Sequence, residues 1–278
     1  MRGFLSGILR PSRSKPRVGV FLHIFYPDAA LQIIELLSRI QDEYSLVVTH
    51  SGCLDEGLQR EISGLRRPTI YKSVSNLGHD VYPFLTALQI PEVSEFEIVC
   101  KLHTKRGDNP MALSWRKEML SATIGNPKLF GRIVEAFATN RKACLLGPET
   151  TYKSAKAFMY KNEARVTALA KSTGISTESD WGFFAGTTFW AQRRLFDPIL
   201  VIPEAELDFA DGLSAGDGEM SHAMERFFGL LPRKIGGTTL LVDRSGNIRQ
   251  AGSPSRMAIT QTMTRLAEEA GLRDTPAI

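Results

Sequence analysis

The chain has 278 residues, 43% of them hydrophobic and 23% charged, which is ordinary for one large globular domain with a sizeable core. The net charge of +4 comes largely from Arg2, Arg10, Arg13, Lys15 and Arg17, ahead of the first expected strand; the rest is close to neutral, so a nucleic-acid partner gets little support. The longest apolar runs, such as VGVFLHIF, are too short to cross a bilayer, Met1–Arg10 lacks the pattern of a secretory signal, and Cys53, Cys100 and Cys144 are too scattered for a disulfide framework or a zinc knot. A cytoplasmic protein with reduced thiols is expected.

Residues 1–17 form a basic N-terminal tail. Phe4, Leu5, Ile8 and Leu9 alternate with its cations; a solvated tail is the favoured reading, and a membrane-surface helix giving peripheral inner-membrane contact is the alternative. The β-branched and aromatic run Val18–Phe25 predicts a first strand. A helix then opens at Pro27-Asp28, with Asp28 as its N-cap and Ala30, Ile33, Ile34, Leu37 and Ile40 on one face. Ser45–His50 reads as a strand, Leu54–Leu65 as a polar helix, Thr69–Ser73 as a strand, Val81–Gln89 as a helix and Phe96–His103 as a fourth strand. Such alternation predicts a mostly parallel open sheet with helices on both faces, an α/β fold. Further along, Ser114–Ile124 and Lys128–Thr139 read as helices and Lys142–Gly147 as a strand. Ala155–Ser172 reads as one long helix, and Gly182–Ala191 as a strand or a buried loop. Glu219–Phe228 is expected to be helical, Thr238–Asp243 a strand and Met257–Ala270 a terminal helix, loosely attached. Residues 18–250 are expected to make one domain with one continuous sheet, and 251–278 a C-terminal helical tail.

Ligands of an open parallel sheet bind beyond the carboxyl ends of its strands, and the polar residues are placed accordingly. His23 ends the first strand, and Thr49, His50 and Ser51 end the second. Ser75–Asp80 follows the third, and Lys101-Leu102-His103-Thr104-Lys105-Arg106 closes the fourth. In the loop after strand three, Gly78 permits a tight backbone, while Asn76 and Asp80 can cap the next helix or hold ligand hydroxyls; a plain turn remains the alternative. Lys101, His103 and Lys105 could hold a diphosphate by charge and hydrogen bonding. The aromatic stretch Trp181–Trp190 is equally a sugar platform or a core strand. Asp217, Glu219 and Glu225 are candidate acid–base groups; His222, Glu225 and Arg226 share a helix face, although spacing alone favours an ordinary amphipathic helix there. No GxGxxG, GxxxxGK[ST], nucleophile elbow or zinc spacing occurs where it would carry weight.

Taken together, the motifs resemble the rhamnan synthesis protein F family of bacterial polysaccharide glycosyltransferases. The resemblance runs from about Val18 to about Arg244. It rests on H-I-F-Y-P-D at His23–Asp28, on Tyr44–Thr49, on N-x-G-x-D-x-x-P-F at Asn76–Phe84 and on K-x-H-T-K at Lys101–Lys105. It continues through Trp115-Arg116, G-T-x-F-W-A at Gly186–Ala191 and H-A-x-E-R at His222–Arg226. One departure stands out, since His79 occupies the place of an arginine in the family's loop, a titratable group for a permanent cation.

The resemblance implies a GT-A-like fold, with a donor half at about 18–110 and an acceptor half at about 111–250. It implies a nucleotide-diphosphate-sugar donor, most often dTDP-rhamnose, a lipid-linked glycan acceptor at the inner membrane, and neighbouring polysaccharide-synthesis enzymes as partners. No cofactor or metal is expected, because Lys101-x-His103-x-Lys105 stands where such folds carry an acidic metal motif. The expected reaction is a single inverting displacement. Asp217 is the first choice of base and Glu225 the second, with His222 beside them. His23, Asn76, Gly78, His79, Asp80, Lys101, His103 and Lys105 would bind donor; Trp115, Arg116, Gly186, Phe189, Trp190 and Arg226 would border the acceptor. The alternatives are a non-catalytic glycan-binding or assembly module and, more distantly, a nucleotidyltransferase.

Overall fold

The computed structural model describes residues 15–107, 109–210 and 217–271, so the tail expectations for residues 1–14 and 272–278 lie outside the described residues. In chain order the elements are β1 (Val18–Ile24), α1 (Pro27–Ser38), β2 (Ser45–His50), α2 (Glu56–Gly64), β3 (Thr69–Ser73), α3 (Val81–Leu88), β4 (Ile98–His103), α4 (Pro110–Ser121) and α5 (Pro127–Thr139). They continue with β5 (Ala143–Pro148), β6 (Tyr152–Ser154), α6 (Glu163–Thr173), β7 (Gly182–Phe184), β8 (Phe189–Gln192), α7 (Asp197–Leu200), α8 (Met220–Leu230), β9 (Thr238–Val242), β10 (Ile248–Gln250) and α9 (Ile259–Glu269).

Eight strands form one sheet in the order β10-β9-β5-β8-β4-β1-β2-β3, and β6 pairs with β7 in a small second sheet. The pairs β1/β2, β1/β4, β2/β3 and β5/β9 are parallel; β8 runs antiparallel to β4 and β5, and β10 to β9. The fold is α/β with a large, mostly parallel mixed sheet. Every residue of β1 is buried, as a central parallel strand covered on both faces requires.

Alternation along β1, β2 and β4 divides the core. Val20, Leu22, Leu46, Val48, Cys100 and Leu102 pack on one side with apolar residues of α1, α2 and α5. Phe21, Val47 and Val99 point the other way, toward α3, α6 and α8. By the period of two, His23, Thr49, Lys101 and His103 share that second face. Strand order also turns at β1: β2 lies on one side of it and β4 on the other. That reversal opens a crevice at the carboxyl ends of β1 and β4.

Four local expectations differ from the structure. The run 155–172 is not one helix: Tyr160 sits at φ +46, and α6 begins only at Glu163. The stretch 182–191 is two strands in two different sheets, joined by a turn in which Gly186 (φ +90) and Thr187 (φ +48) are left-handed. Asp28 is inside α1 rather than capping it, Tyr26 holding the cap position without a side-chain bond; the Asp28 carboxylate meets Arg106 instead, at 2.8 Å. The C-terminal helix is also docked rather than loose, with Thr262, Leu266 and Ala267 buried. Lys153 donates to Thr262 Oγ1 at 2.6 Å, and Arg244 bridges Glu118 and Glu269.

Candidate functional site

The strand ends place two imidazoles side by side. His23 and His103 are register partners across the β1/β4 pair, and His23 is also opposite Thr49, whose Oγ1 is 3.1 Å from His23 Nδ1. Beyond them the chain turns. Thr104 Oγ1 accepts from the backbone N–H of Phe25 and of Tyr26, both at 2.9 Å, which fastens the β1–α1 turn to the exit of β4.

The loop after β3 enters from the other side. Gly78 and His79 both have φ +54. A Cβ on Gly78 would be 2.3 Å from a ring carbon of Phe209, so a side chain is excluded there by backbone and by space. His79 takes the left-handed conformation with a side chain, as histidine does more readily than most residues. The two turns bring Asp80 to the start of α3, where its carboxylate makes no cap bond. It points instead into the sheet.

There it meets Lys101. The Lys101 side chain is 1% exposed and its Nζ pairs with Asp80 Oδ2; Nζ also donates to the Thr187 carbonyl at 3.1 Å and Oγ1 at 3.2 Å, and Thr187 Oγ1 donates to Asp80 Oδ2. Three segments distant in sequence thus close on one buried ion pair, and the left-handed turn at Gly186-Thr187 is what lets the third one reach. Burial opposes ionisation of Asp80, but the Lys101 charge and the bonds from Lys101 and Thr187 hold its carboxyl well below the usual range. Burial, offset in part by Asp80 and reinforced by Lys101, depresses His23 to about 4. The same causes, with Lys105 and His23 adding to them, take His103 to about 3. At neutral pH both rings are therefore uncharged.

The crevice measures about 340 Å³. His23, Asn76, His79, Asp80, His103 and Lys105 of the expected donor set line it. Gly78 and Lys101 stand behind the wall, the first as a turn and the second as the buried partner of Asp80. Of the expected acid–base group, His222 and Glu225 reach the crevice from α8. The His222 ring centroid is 5.9 Å from that of His79, and its Nδ1 is buried with no partner among the described residues. Glu225 accepts from the Gly186 N–H at 2.6 Å and pairs with Arg226 at 2.7 Å.

Asp217 lies elsewhere. It accepts from the Lys161 N–H at 2.9 Å and from Asn162 Nδ2 at 2.8 Å; burial alone would raise its pKa, but these bonds outweigh it and the net direction is down. Such a carboxylate ties α8 to the segment before α6 and is a poor proton acceptor.

The expected acceptor set is placed differently again. Gly186 alone lines the crevice. Trp190 is fully buried, its ring 4.8 Å from that of Phe130 and its Nε1 donating to the Thr123 carbonyl at 3.2 Å. Phe189 is buried against Phe84, Phe196 and Phe228, and Trp115 is buried beneath Gly186. Arg116 holds the Lys105 carbonyl at 3.0 Å. Arg226 is buried, donating to the carbonyls of Phe158 and His222. Trp115, Phe189, Trp190 and Arg226 are thus buried, and neither they nor the half-buried Arg116 line the crevice.

Sequence reasoning also missed wall residues: Phe25, Tyr26, Thr187 and Ser221. The first two continue the strand that His23 ends, and Thr187 is the threonine of the G-T-x-F-W-A motif; both were usable signals. Among the described residues no group of three or more His, Cys, Asp or Glu side chains could hold a metal ion, and no helix is long and apolar enough to cross a membrane.

Residues 5–236 match the model of the family described as rhamnan synthesis protein F. The chain belongs to this family. Two curated relatives, each described as uncharacterized protein WxcX, come from Xanthomonas campestris pv. campestris. The protein of strain ATCC 33913 is 28% identical over 249 residues and that of strain B100 is 27% identical over 249 residues. Each alignment covers 86% of this chain and 34% of the relative, so the chain spans about a third of their length. Among solved structures, glucosyl-3-phosphoglycerate synthase from Mycobacterium tuberculosis in complex with Mn2+, UDP-glucose and glycerol 3-phosphate aligns at 13% identity and a TM-score of 0.41. That alignment covers 97% of this chain and 88% of the other. The same enzyme with Mn2+, UDP and glucosyl-3-phosphoglycerate aligns at 14% identity and 0.40, over 96% and 87%.

Proposed function

We propose that this member of the rhamnan synthesis protein F family is a GT-A-like glycosyltransferase. It would move a sugar, rhamnose or a similar deoxyhexose, from a nucleotide-diphosphate donor to a growing cell-surface polysaccharide. The observation that supports this most is the crevice at the β1/β4 switch point, where Lys105 and four imidazoles meet hydrogen-bonding groups in a space of about 340 Å³. In this reading Lys105 and His103 face the diphosphate, Asn76 holds donor hydroxyls, and Phe25 and Tyr26 border the nucleoside.

The reaction would be a single inverting displacement. An acceptor hydroxyl attacks the anomeric carbon, its proton passes to a base, and the nucleoside diphosphate departs toward Lys105 and His103, whose charge and bonds stabilise it without requiring a metal. Glu225 replaces Asp217 as first choice of base, because it lines the crevice and Asp217 does not. His222, with an unpartnered Nδ1, lies one helical turn away. A lipid-linked glycan would be the acceptor, met at the cytoplasmic face of the inner membrane beside other polysaccharide-synthesis enzymes.

The test is release of nucleoside diphosphate from a panel of sugar nucleotides with a glycan acceptor, with and without EDTA. Transfer from one donor, insensitive to EDTA and lost in Glu225→Gln, supports the reading. Glycan binding with no donor consumed supports the assembly-module alternative, and a larger loss in Asp217→Ala than in Glu225→Gln would return the base to Asp217.

A further inference from the structure

His103 is built in a way that a plain cation site is not. Its side chain is 8% exposed, and its Nδ1 lies 3.6 Å from Asp80 Oδ2, beyond hydrogen-bond reach, with no other partner among the described residues. Asp80 itself is already held by Lys101 and Thr187. The ring therefore lies between a fixed carboxylate and the open crevice, one edge toward each.

A neutral imidazole has only one N–H. If Nδ1 carries it, the ring turns a lone pair toward the crevice and repels an anion. If Nε2 carries it, a lone pair meets the Asp80 carboxylate. Only the imidazolium presents an N–H and positive charge to both at once, and an anion at the crevice mouth supplies the second negative charge that favours this form.

We propose that the crevice takes its anionic ligand together with one proton, which His103 receives, and that Asp80 is the residue that positions it. The inference rests on reading the crevice as a diphosphate site. The proton comes from solvent and leaves with the ligand; no covalent bond between heavy atoms changes. The low value of about 3 for His103 means that the ring is neutral beforehand, so the whole charge is gained on binding.

The groups facing His103 from each packed element are compatible with this. His23 on β1 is neutral at the same pH, Lys101 is matched by Asp80, and Glu225 by Arg226. His79 and His222 lie across the crevice, and Arg106 is engaged by Asp28. Lys105 is the permanent cation that attracts the anion and opposes protonation of His103.

Linkage fixes the sign. With the ligand-bound value above the free one, affinity falls by up to tenfold per pH unit as pH rises from the free value to the bound one, and levels off above the bound value.

The experiment is calorimetry with UDP, dTDP and inorganic pyrophosphate at pH 6 and pH 8, in pairs of buffers that differ in ionisation enthalpy. Wild-type protein is expected to take up a large fraction of one proton per ligand, more at pH 6 than at pH 8. His103→Gln should bind with little uptake and a flat pH profile, and Asp80→Asn should lower uptake with His103 still present. His79→Gln and His222→Gln should keep it. Binding without proton uptake, or uptake that survives His103→Gln, overturns the inference and leaves the diphosphate reading standing. No binding of any probe overturns both.

Discussion

Two stretches of this chain carry the same kind of promise in sequence and meet opposite ends in the fold. Lys101–Arg106 closes β4, and His103, Thr104, Lys105 and Arg106 all line the crevice. Trp181–Trp190 looks like a sugar platform, but its rings fill the core and only Gly186 and Thr187 from its turn reach the wall. The difference is where each stretch sits relative to a strand. Residues just past the end of a parallel strand have no helix above them, whereas residues within a strand are covered by whatever packs on the sheet. Polar identity at a strand end is thus better evidence for a site than aromatic identity within a strand.

The sharpest way to break this comparison is Trp190→Ala. A fully buried indole packed on Phe130 should cost about 3–5 kcal/mol on truncation, read from urea denaturation; a loss confined to acceptor affinity, with stability intact, would put Trp190 back in a binding site. Lys101→Met comes next. It leaves the Asp80 carboxylate buried without its cation, for a destabilisation of about 3 kcal/mol, and a second change, Asp80→Leu, should recover part of it. If the single variant is as stable as the wild type, the buried pair is not what holds the three segments together.

Acidification should act more gradually. His23 and His103 have values of about 4 and about 3, below the 6.5 of an unfolded histidine. Below pH 6.5 the unfolded chain binds more protons than the folded one, so stability falls as pH drops from about 6.5 toward 4. Replacing both rings by glutamine should flatten that slope in thermal melts. The smallest effect on the fold belongs to Lys105→Ala. Stability should change by less than about 0.5 kcal/mol, as for a half-buried side chain away from the core, while affinity for a nucleoside diphosphate should weaken by about 1.5–3 kcal/mol, as for a bond to a charged group. Equal binding by this variant would detach the β4 exit from the ligand.

Much of the architecture could be read beforehand, because β1 to β4 are regular parallel strands with apolar alternation and helices between them. The strand-end histidines followed from the same pattern. What could not be read is tertiary in origin. The Asp80–Lys101–Thr187 contact joins residues 21 and 86 positions apart, and it turns Lys101 from an exposed phosphate ligand into a buried strut. Asp217 looked poised at a helix start, but its partners Lys161 and Asn162 come from a segment 55 or 56 positions earlier. The break at Tyr160 was hidden because no proline or glycine marks it.

The central claim is that a nucleotide-diphosphate donor enters the crevice between β1 and β4. Of the five histidines in the chain, His23, His79, His103 and His222 line that crevice, while the His50 Nδ1 turns to the Gly52 carbonyl at the end of β2. Titrating 15N-histidine-labelled protein with dTDP-rhamnose and related sugar nucleotides, and following the imidazole resonances, tests it directly. The account predicts saturable shifts of the four crevice rings, strongest at His103, with His50 unmoved. Shifts at His50 alone, or no ring shifting at saturating ligand, would contradict it.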